Sequence, residues 1–211
     1  MKKIFVFTFV AALTVCAAQL SGAPAQGNKD AKEANKLARD GADAAKNQDW
    51  DKAIELLRKA TDLDHKYANE LSAVYQQRGY AAASNQQLPD AISSYTEAIK
   101  LKPDDPRIYE QRAAVEMKSN DMDKALADYS EAIKLKPNDV RYYLYRSYIY
   151  ETKGDIKNSM ADIEKVLKLD PKNQEAMSRK KRLETLQSMR ATPIPAAPRS
   201  SPAAVRSPHK P

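Results

Sequence analysis

SYTEAIKLKP at residues 94–103 and YSEAIKLKP at residues 129–137 repeat one another almost letter for letter, thirty-four residues apart. A fixed period of this size marks an array of stacked supersecondary units, none of which can bury its apolar face alone. Carrying the period outward reaches Asp51-Lys52-Ala53-Ile54 on one side and Asn158-Ser159-Met160-Ala161 on the other. Small residues recur at Ala53, Ala91, Ala125 and Ser159. Four positions on stand the large residues Leu57, Tyr95, Tyr129 and Ile163, and seven on stand Ala60, Ala98, Ala132 and Val166. Positions i, i+4 and i+7 share one face of a 3.6-residue helix, so each unit contributes a helix with a single packed face.

A second helix must supply the opposing face. Gly41, Gly79, Ala113 and Ser147 recur upstream of the small-large-small sets, and two helices cross closely only where neither presents bulk. Turn residues fall between the paired helices at Asn47-Gln48-Asp49, Asn85 to Asp90, Ser119-Asn120-Asp121 and Lys153-Gly154-Asp155. Pro103, Pro137 and Pro171 close the second helix of a pair. Asp105 before Pro106 reads as an N-cap followed by proline in the first turn, and Asp139 is a similar cap.

This pattern resembles the tetratricopeptide repeat (TPR) family, with units near 34–67, 72–105, 106–139 and 140–173 covering about two thirds of the chain. The first unit departs most, having Leu37 in place of the usual aromatic, His65 in place of the proline, and Trp50 before its second helix. The resemblance implies an all-α fold: a right-handed superhelix, or solenoid, of four antiparallel helix pairs. The interval from Ala53 to Ala91 exceeds the period by four residues, which one extra turn on a helix from Lys66 to Ala83 would absorb. A capping helix is expected over 174–190, burying Ala176, Leu183, Leu186 and Met189 and exposing Arg179, Lys180, Lys181 and Arg182.

The two ends differ from this 26–190 body. Residues 1–25 read as a signal peptide: Lys2 and Lys3, the apolar run Ile4–Val15, then small residues offering cleavage after Ala18 or Ala25. Leu13-Thr14-Val15-Cys16 is a variant lipobox in which Val15 is bulkier than usual, so a lipidated Cys16 is the alternative fate. An exported, periplasmic or secreted protein is expected. Cys16 is the sole cysteine, which excludes a disulfide within the chain. Residues 191–211 hold six of the twelve prolines and too little apolar surface to offset ordering, which predicts a disordered, extended tail.

The net charge of +7 is mostly terminal: Lys2, Lys3, Arg199, Arg206 and Lys210 account for five of the seven. The nearly neutral body lacks the basic stripe that phosphate contacts require, so nucleic acid is not an expected partner. No catalytic or metal-binding constellation emerges. His65 sits at a turn and His209 in the tail, and the carboxylates read as lysine-paired exposed positions, so neither an enzyme nor a cofactor is expected.

The resemblance instead implies a non-catalytic scaffold that takes a protein or peptide partner in a groove lined by first helices. Mapping the family's groove positions selects Ala73, Gln76 and Tyr80, then Arg107, Glu110 and Gln111, then Arg141, Tyr145 and Tyr148. Tyrosine and arginine are frequent binding hot spots. Tyr143 and Tyr150 are expected to pack inside the hairpin. The family's two-carboxylate clamp needs a lysine, two asparagines, a lysine and an arginine, where this chain has Ala38, Ala42, Gln77, Arg107 and Gln111. The competing reading is a structural subunit docking by its convex face or basic capping helix. Membrane contact would run through that helix or a lipidated Cys16.

Overall fold

The structure, a computed structural model, describes residues 23–191, with side chains from 27 to 189. Cys16, the leader apart from residues 23–25, and the tail apart from residue 191 lie outside this range. The described residues form nine α-helices and one 3-10 turn, with no strand. They fall into two compact units whose boundary, after Val74, lies within α3.

The first unit contains α1 (Ala23–Lys46), α2 (Trp50–Leu63), a 3-10 turn (His65–Tyr67) and the start of α3 (Ala68–Ser84). The second contains the rest of α3, then α4 (Leu88–Leu101), α5 (Pro106–Lys118), α6 (Met122–Leu135), α7 (Val140–Thr152), α8 (Ile156–Leu169) and α9 (Gln174–Ala191). At seventeen residues α3 is four longer than α5 or α7, so the insertion is taken up as one helical turn. The added turn sits at 68–84, preceded by the 3-10 turn, rather than at 66–83.

The periodic residues form the packed faces. Ala53, Ala60, Ala91, Ala98, Ala125, Ala132, Ser159 and Val166 are completely buried, as are Leu57, Tyr95, Tyr129 and Ile163 to within 2%. Size matching between paired helices is close. A Cβ on Gly41 would stand 2.9 Å from Leu57 Cγ and 3.3 Å from the Ala53 carbonyl, and one on Gly79 would stand 3.0 Å from the Tyr95 ring. In the last pair the equivalent contact is polar, with the Ser147 and Ser159 hydroxyls 2.9 Å apart. Tyr143 is buried as expected, whereas Tyr150 is only half-buried.

One turn geometry joins all four pairs. Gln48, Gln86, Asn120 and Gly154 have φ of 60°, 61°, 63° and 75°. The next residue's N–H reaches back five residues, as in Asp121 N to Glu116 O (2.8 Å) and Asp155 N to Tyr150 O (2.8 Å), closing the first helix in a Schellman motif. That same residue then opens the second helix. Asp49, Asp121 and Asp155 accept from the backbone N–H of Lys52, Lys124 and Asn158, satisfying donors that a helix start leaves free. Gln87 occupies this position before α4 and makes no side-chain cap.

Two half-buried arginines tie the α5–α6 and α7–α8 hairpins each to the helix before it. Arg112 on α5 donates to both oxygens of Asp128 on α6 (2.7 Å each) and to Thr96 Oγ1 on α4 (3.0 Å). Arg146 on α7 repeats this one period on, with Asp162 on α8 (2.7 and 2.9 Å) and Ser130 on α6 (3.1 Å). Asp128 and Asp162 are buried, so these carboxylates depart from the exposed lysine-paired pattern expected of the sequence.

α9 continues the register. Ala176 and Leu183 are fully buried, thirty-four residues after the buried Tyr142 and Ile149, and Leu186 packs on the same core. Met189 is 66% exposed, contrary to expectation, because it lies a turn beyond the last core contact. The basic run is also less exposed than expected. Arg179 is mostly buried, donating to the Leu144 carbonyl (3.0 Å) and pairing with Glu175 (2.7 Å). Arg182 pairs with Glu151 (2.7 Å) and half-buried Lys180 lies 4.0 Å from Glu164.

Replacing Gln87 with Asp restores the missing cap and should stabilise the chain by about 1 kcal/mol in chemical denaturation. Arg146→Met should cost about 3 kcal/mol or more by stranding Asp162, while Arg146→Met with Asp162→Leu should recover most of that loss.

Candidate functional site

An open apolar recess of the second unit lies where the exposed faces of α5 and α7 adjoin. Glu110, Ala114, Met117 and Lys118 from α5, Tyr129 from α6 and Tyr145 from α7 line a recess of about 400 Å3. Tyr145 stacks on Tyr129 with ring centroids 5.4 Å apart and planes inclined by 21°, yet remains 45% exposed. Its other side borders a smaller cleft of about 140 Å3 lined by Arg141, Leu144, Tyr145, Glu175 and Arg179. Tyr148, also 45% exposed, lies 5.7 Å from the Arg179 guanidinium. Tyr145 therefore stands between two cavities, with Tyr148 one turn along the same helix face.

The structure brings together Glu110, Arg141, Tyr145 and Tyr148 from the sequence-predicted set. Arg141 Nη1 lies 3.4 Å from Glu110 Oε1, linking α7 to α5. Arg107 and Arg141 also serve their own helix starts. The Arg107 guanidinium forks onto Asp105 (2.9 and 3.1 Å) and that of Arg141 onto Asp139 (2.9 and 3.0 Å), while each aspartate caps the helix. Gln111 is half-buried with its carbonyl oxygen enclosed and unpartnered. On α3, Gln76 is half-buried and Tyr80 is 68% exposed, and neither borders the two cavities. Ala73 is exposed in the first unit.

Glu175 and Arg179 were not selected from the sequence as groove residues. The signal was the period itself, because they stand thirty-four residues after Arg141 and Tyr145. The apolar floor of Ala114, Met117 and Tyr129 was missed for another reason. Tyr129 belongs to a second helix, and it lines the recess beside Tyr145, on which it stacks.

Electrostatics set this region apart. The Asp139 carboxyl is held down to about 2, first by its hydrogen bonds from Arg141, and Asp105 is lowered by its Arg107 fork. Burial raises the Tyr129 phenol well above its usual range. Glu116, one turn behind the recess on α5, is pushed up to about 7, chiefly by burial and then by Asp128, and one of its oxygens has no hydrogen-bond partner. Among the described residues no three His, Cys, Asp or Glu side chains are placed to hold a metal, and no helix is long and apolar enough to cross a membrane.

Paired helices with small residues at every crossing, Schellman turns and an exposed first-helix face define a tetratricopeptide-type repeat protein. Within that class the chain belongs to the family described as the ETO1 C-terminal domain, whose profile matches residues 38–188. It is similar to the Arabidopsis OM64 TPR domain at 32% identity, with 56% of this chain and 98% of that one aligned and a TM-score of 0.51. A tetratricopeptide repeat protein from Parabacteroides merdae aligns over 75% of this chain and 61% of its own, at 22% identity and a TM-score of 0.58. The first TPR of Spaghetti (RPAP3), bound to the HSP90 peptide SRMEEVD, aligns over 57% of this chain and 95% of its own, at 21% identity and a TM-score of 0.52. No curated protein matches the chain.

The raised Glu116 value fixes the sign of a pH effect. The folded carboxyl keeps a proton that the unfolded chain loses near 4.5, so stability falls as pH rises from about 4.5 to about 7 and levels off above. The lowered Asp105 and Asp139 act below that window, withdrawing stability only as acid protonates them. Glu116→Gln should therefore flatten the decline and gain about 2–3 kcal/mol at pH 8, read from denaturation at pH 5 and pH 8.

Proposed function

We propose that this protein is a non-catalytic scaffold of the cell envelope that captures a segment of a partner protein on the α5–α7–α9 face of its second unit. The observation that carries the reading is Tyr145, nearly half-exposed, stacked on Tyr129 and flanked by a cavity on either side. An amphipathic ring held in place by a second ring offers contact area at low entropic cost, which is why tyrosine recurs at binding hot spots. The RPAP3 relative with its bound HSP90 peptide supports a peptide-binding use of this architecture.

The occupant differs in kind from an acidic chain terminus. Ala38, Ala42, Gln77 and Gln111 stand at four of the five clamp positions, and at the fifth Arg107 is engaged by Asp105. Arg141 and Arg179 on the groove wall are likewise matched by Glu110, Asp139 and Glu175. A wall whose cations already face acids favours an apolar side chain over a carboxylate. Docking through the basic capping helix draws less support, since Arg179 and Arg182 pair with the chain's own acids. The envelope assignment rests on Lys2, Lys3 and the Ile4–Val15 run, and Cys16 would add a membrane tether if lipidated.

Affinity capture from envelope extracts with the natural chain and with Tyr145→Ala plus Tyr148→Ala checks the reading. The double variant should lose its specific partner by about tenfold or more while its melting temperature stays within a few degrees of the natural chain's. Undiminished capture by a folded variant would refute the groove.

A further inference from the structure

The tyrosine face has a candidate occupant within the same chain. Residues 192–211 follow α9 directly and contain the stretch Pro195-Ala196-Ala197-Pro198-Arg199. We propose that this stretch docks in cis on the groove beside Tyr145 and Tyr148, so that a partner must displace it to bind. The proposal rests on the groove reading above and adds its resident ligand.

Reach permits it. From Arg179, on the cleft wall, to Ala191 is twelve residues, or about 18 Å of helix. A polyproline-type strand doubling back from Ala191 covers about 12 Å by Pro195 and about 25 Å by Arg199, which brings the stretch level with Arg179. The chemistry matches as well. Proline rings lie well on aromatic faces, and a proline-rich segment gives up little entropy because it is extended beforehand. Tyr145 and Tyr148 sit three residues apart on one helix face, each 45% exposed, and the recess beside Tyr145 is floored by Ala114, Met117 and Tyr129.

Charge favours this occupant too. Residues 192–211 carry Arg199, Arg206 and Lys210 with no acid, so they bring nothing that a neutral apolar recess must reject. The cleft wall presents Glu175, which pairs with Arg179 yet leaves 54% of its side chain exposed to a second cation. Linkage supplies the last argument. A tethered segment meets its site at an effective concentration in the millimolar range, so weak contacts suffice for occupancy.

Disulfide trapping in the full chain tests this. In a Cys16→Ser background, Ala114→Cys in the recess is combined with Ala197→Cys or, as a control, Ala203→Cys. The linkers from Ala191 are six and twelve residues, so unaided collision gives rates within about threefold of one another. The 114–197 bond should form at least about tenfold faster within one chain, and Pro195→Ser with Pro198→Ser should erase that preference. These prolines follow the last described helix in the sequence, and a melting temperature equal to the natural chain's checks that their replacement leaves the helices folded. Equal rates for 197 and 203 would overturn the proposal, as would a preferred bond between two chains, which would place the segment in trans. If rates are equal yet Tyr145→Ala plus Tyr148→Ala still abolishes partner capture, the groove stands and only its internal ligand falls. If capture is also unchanged, both fall.

Discussion

A buried carboxylate must meet a cation, and the half-buried guanidinium that reaches it from between three helices organises the second unit. Arg112 and Arg146 each spend three N–H donors on the carboxylate of their own hairpin and a hydroxyl of the preceding one. Thr96 and Ser130 donate their own protons to carbonyls one turn back, at Ile92 and Leu126, which leaves a lone pair for the arginine. Moving one helix of a hairpin along the other would separate this cation from its buried anion, at a cost of several kcal/mol, while sliding one hairpin along the next would break the bond to the hydroxyl. Apolar packing at Ala125, Tyr129 and Ala132 brings the helices close, and the arginines fix their register.

That register determines what is left open. With the second helices committed to burying Tyr129 and Ile163, the outer faces of α5 and α7 have no further helix to meet. Tyr145 stacks on the otherwise enclosed Tyr129, and the recess beside it stays unfilled. The polar residues of this face are already turned on one another: Arg141 to Glu110 and Asp139, Arg179 to Glu175 and the Leu144 carbonyl. The result is a surface with aromatic reach and little unmatched charge, suited to apolar segments.

Glu116 marks where the repeat tolerates variation. Its counterpart one period on is Tyr150, whose ring lies 5.9 Å from Arg146. At Glu116 a carboxylate stands 3.8 Å from Arg112 instead, sharing that cation with Asp128. One guanidinium cannot hold two buried carboxylates ionised as well as one, so Glu116 carries the cost as a raised proton affinity.

The sequence alone determined the helix pairs, their small-residue crossings, their turns and their caps, because each depends on residues close together in the chain. A 3.6-residue period, an aspartate before a helix and a four-residue insertion are local facts. The resemblance to the repeat family, rather than any local rule, put Tyr145 and Tyr148 among the groove positions, and both are 45% exposed. Tertiary structure decided which charges are buried. Asp128 and Asp162 read as surface positions until Arg112 and Arg146, sixteen residues away, are seen to reach them, and Arg179 read as solvated until the Leu144 carbonyl came within 3.0 Å. Burial of a charge depends on whether a distant partner arrives to offset its desolvation, and local sequence carries no measure of that. The recess beside Tyr145 is of the same kind, being the space that remains once every helix has met its neighbours.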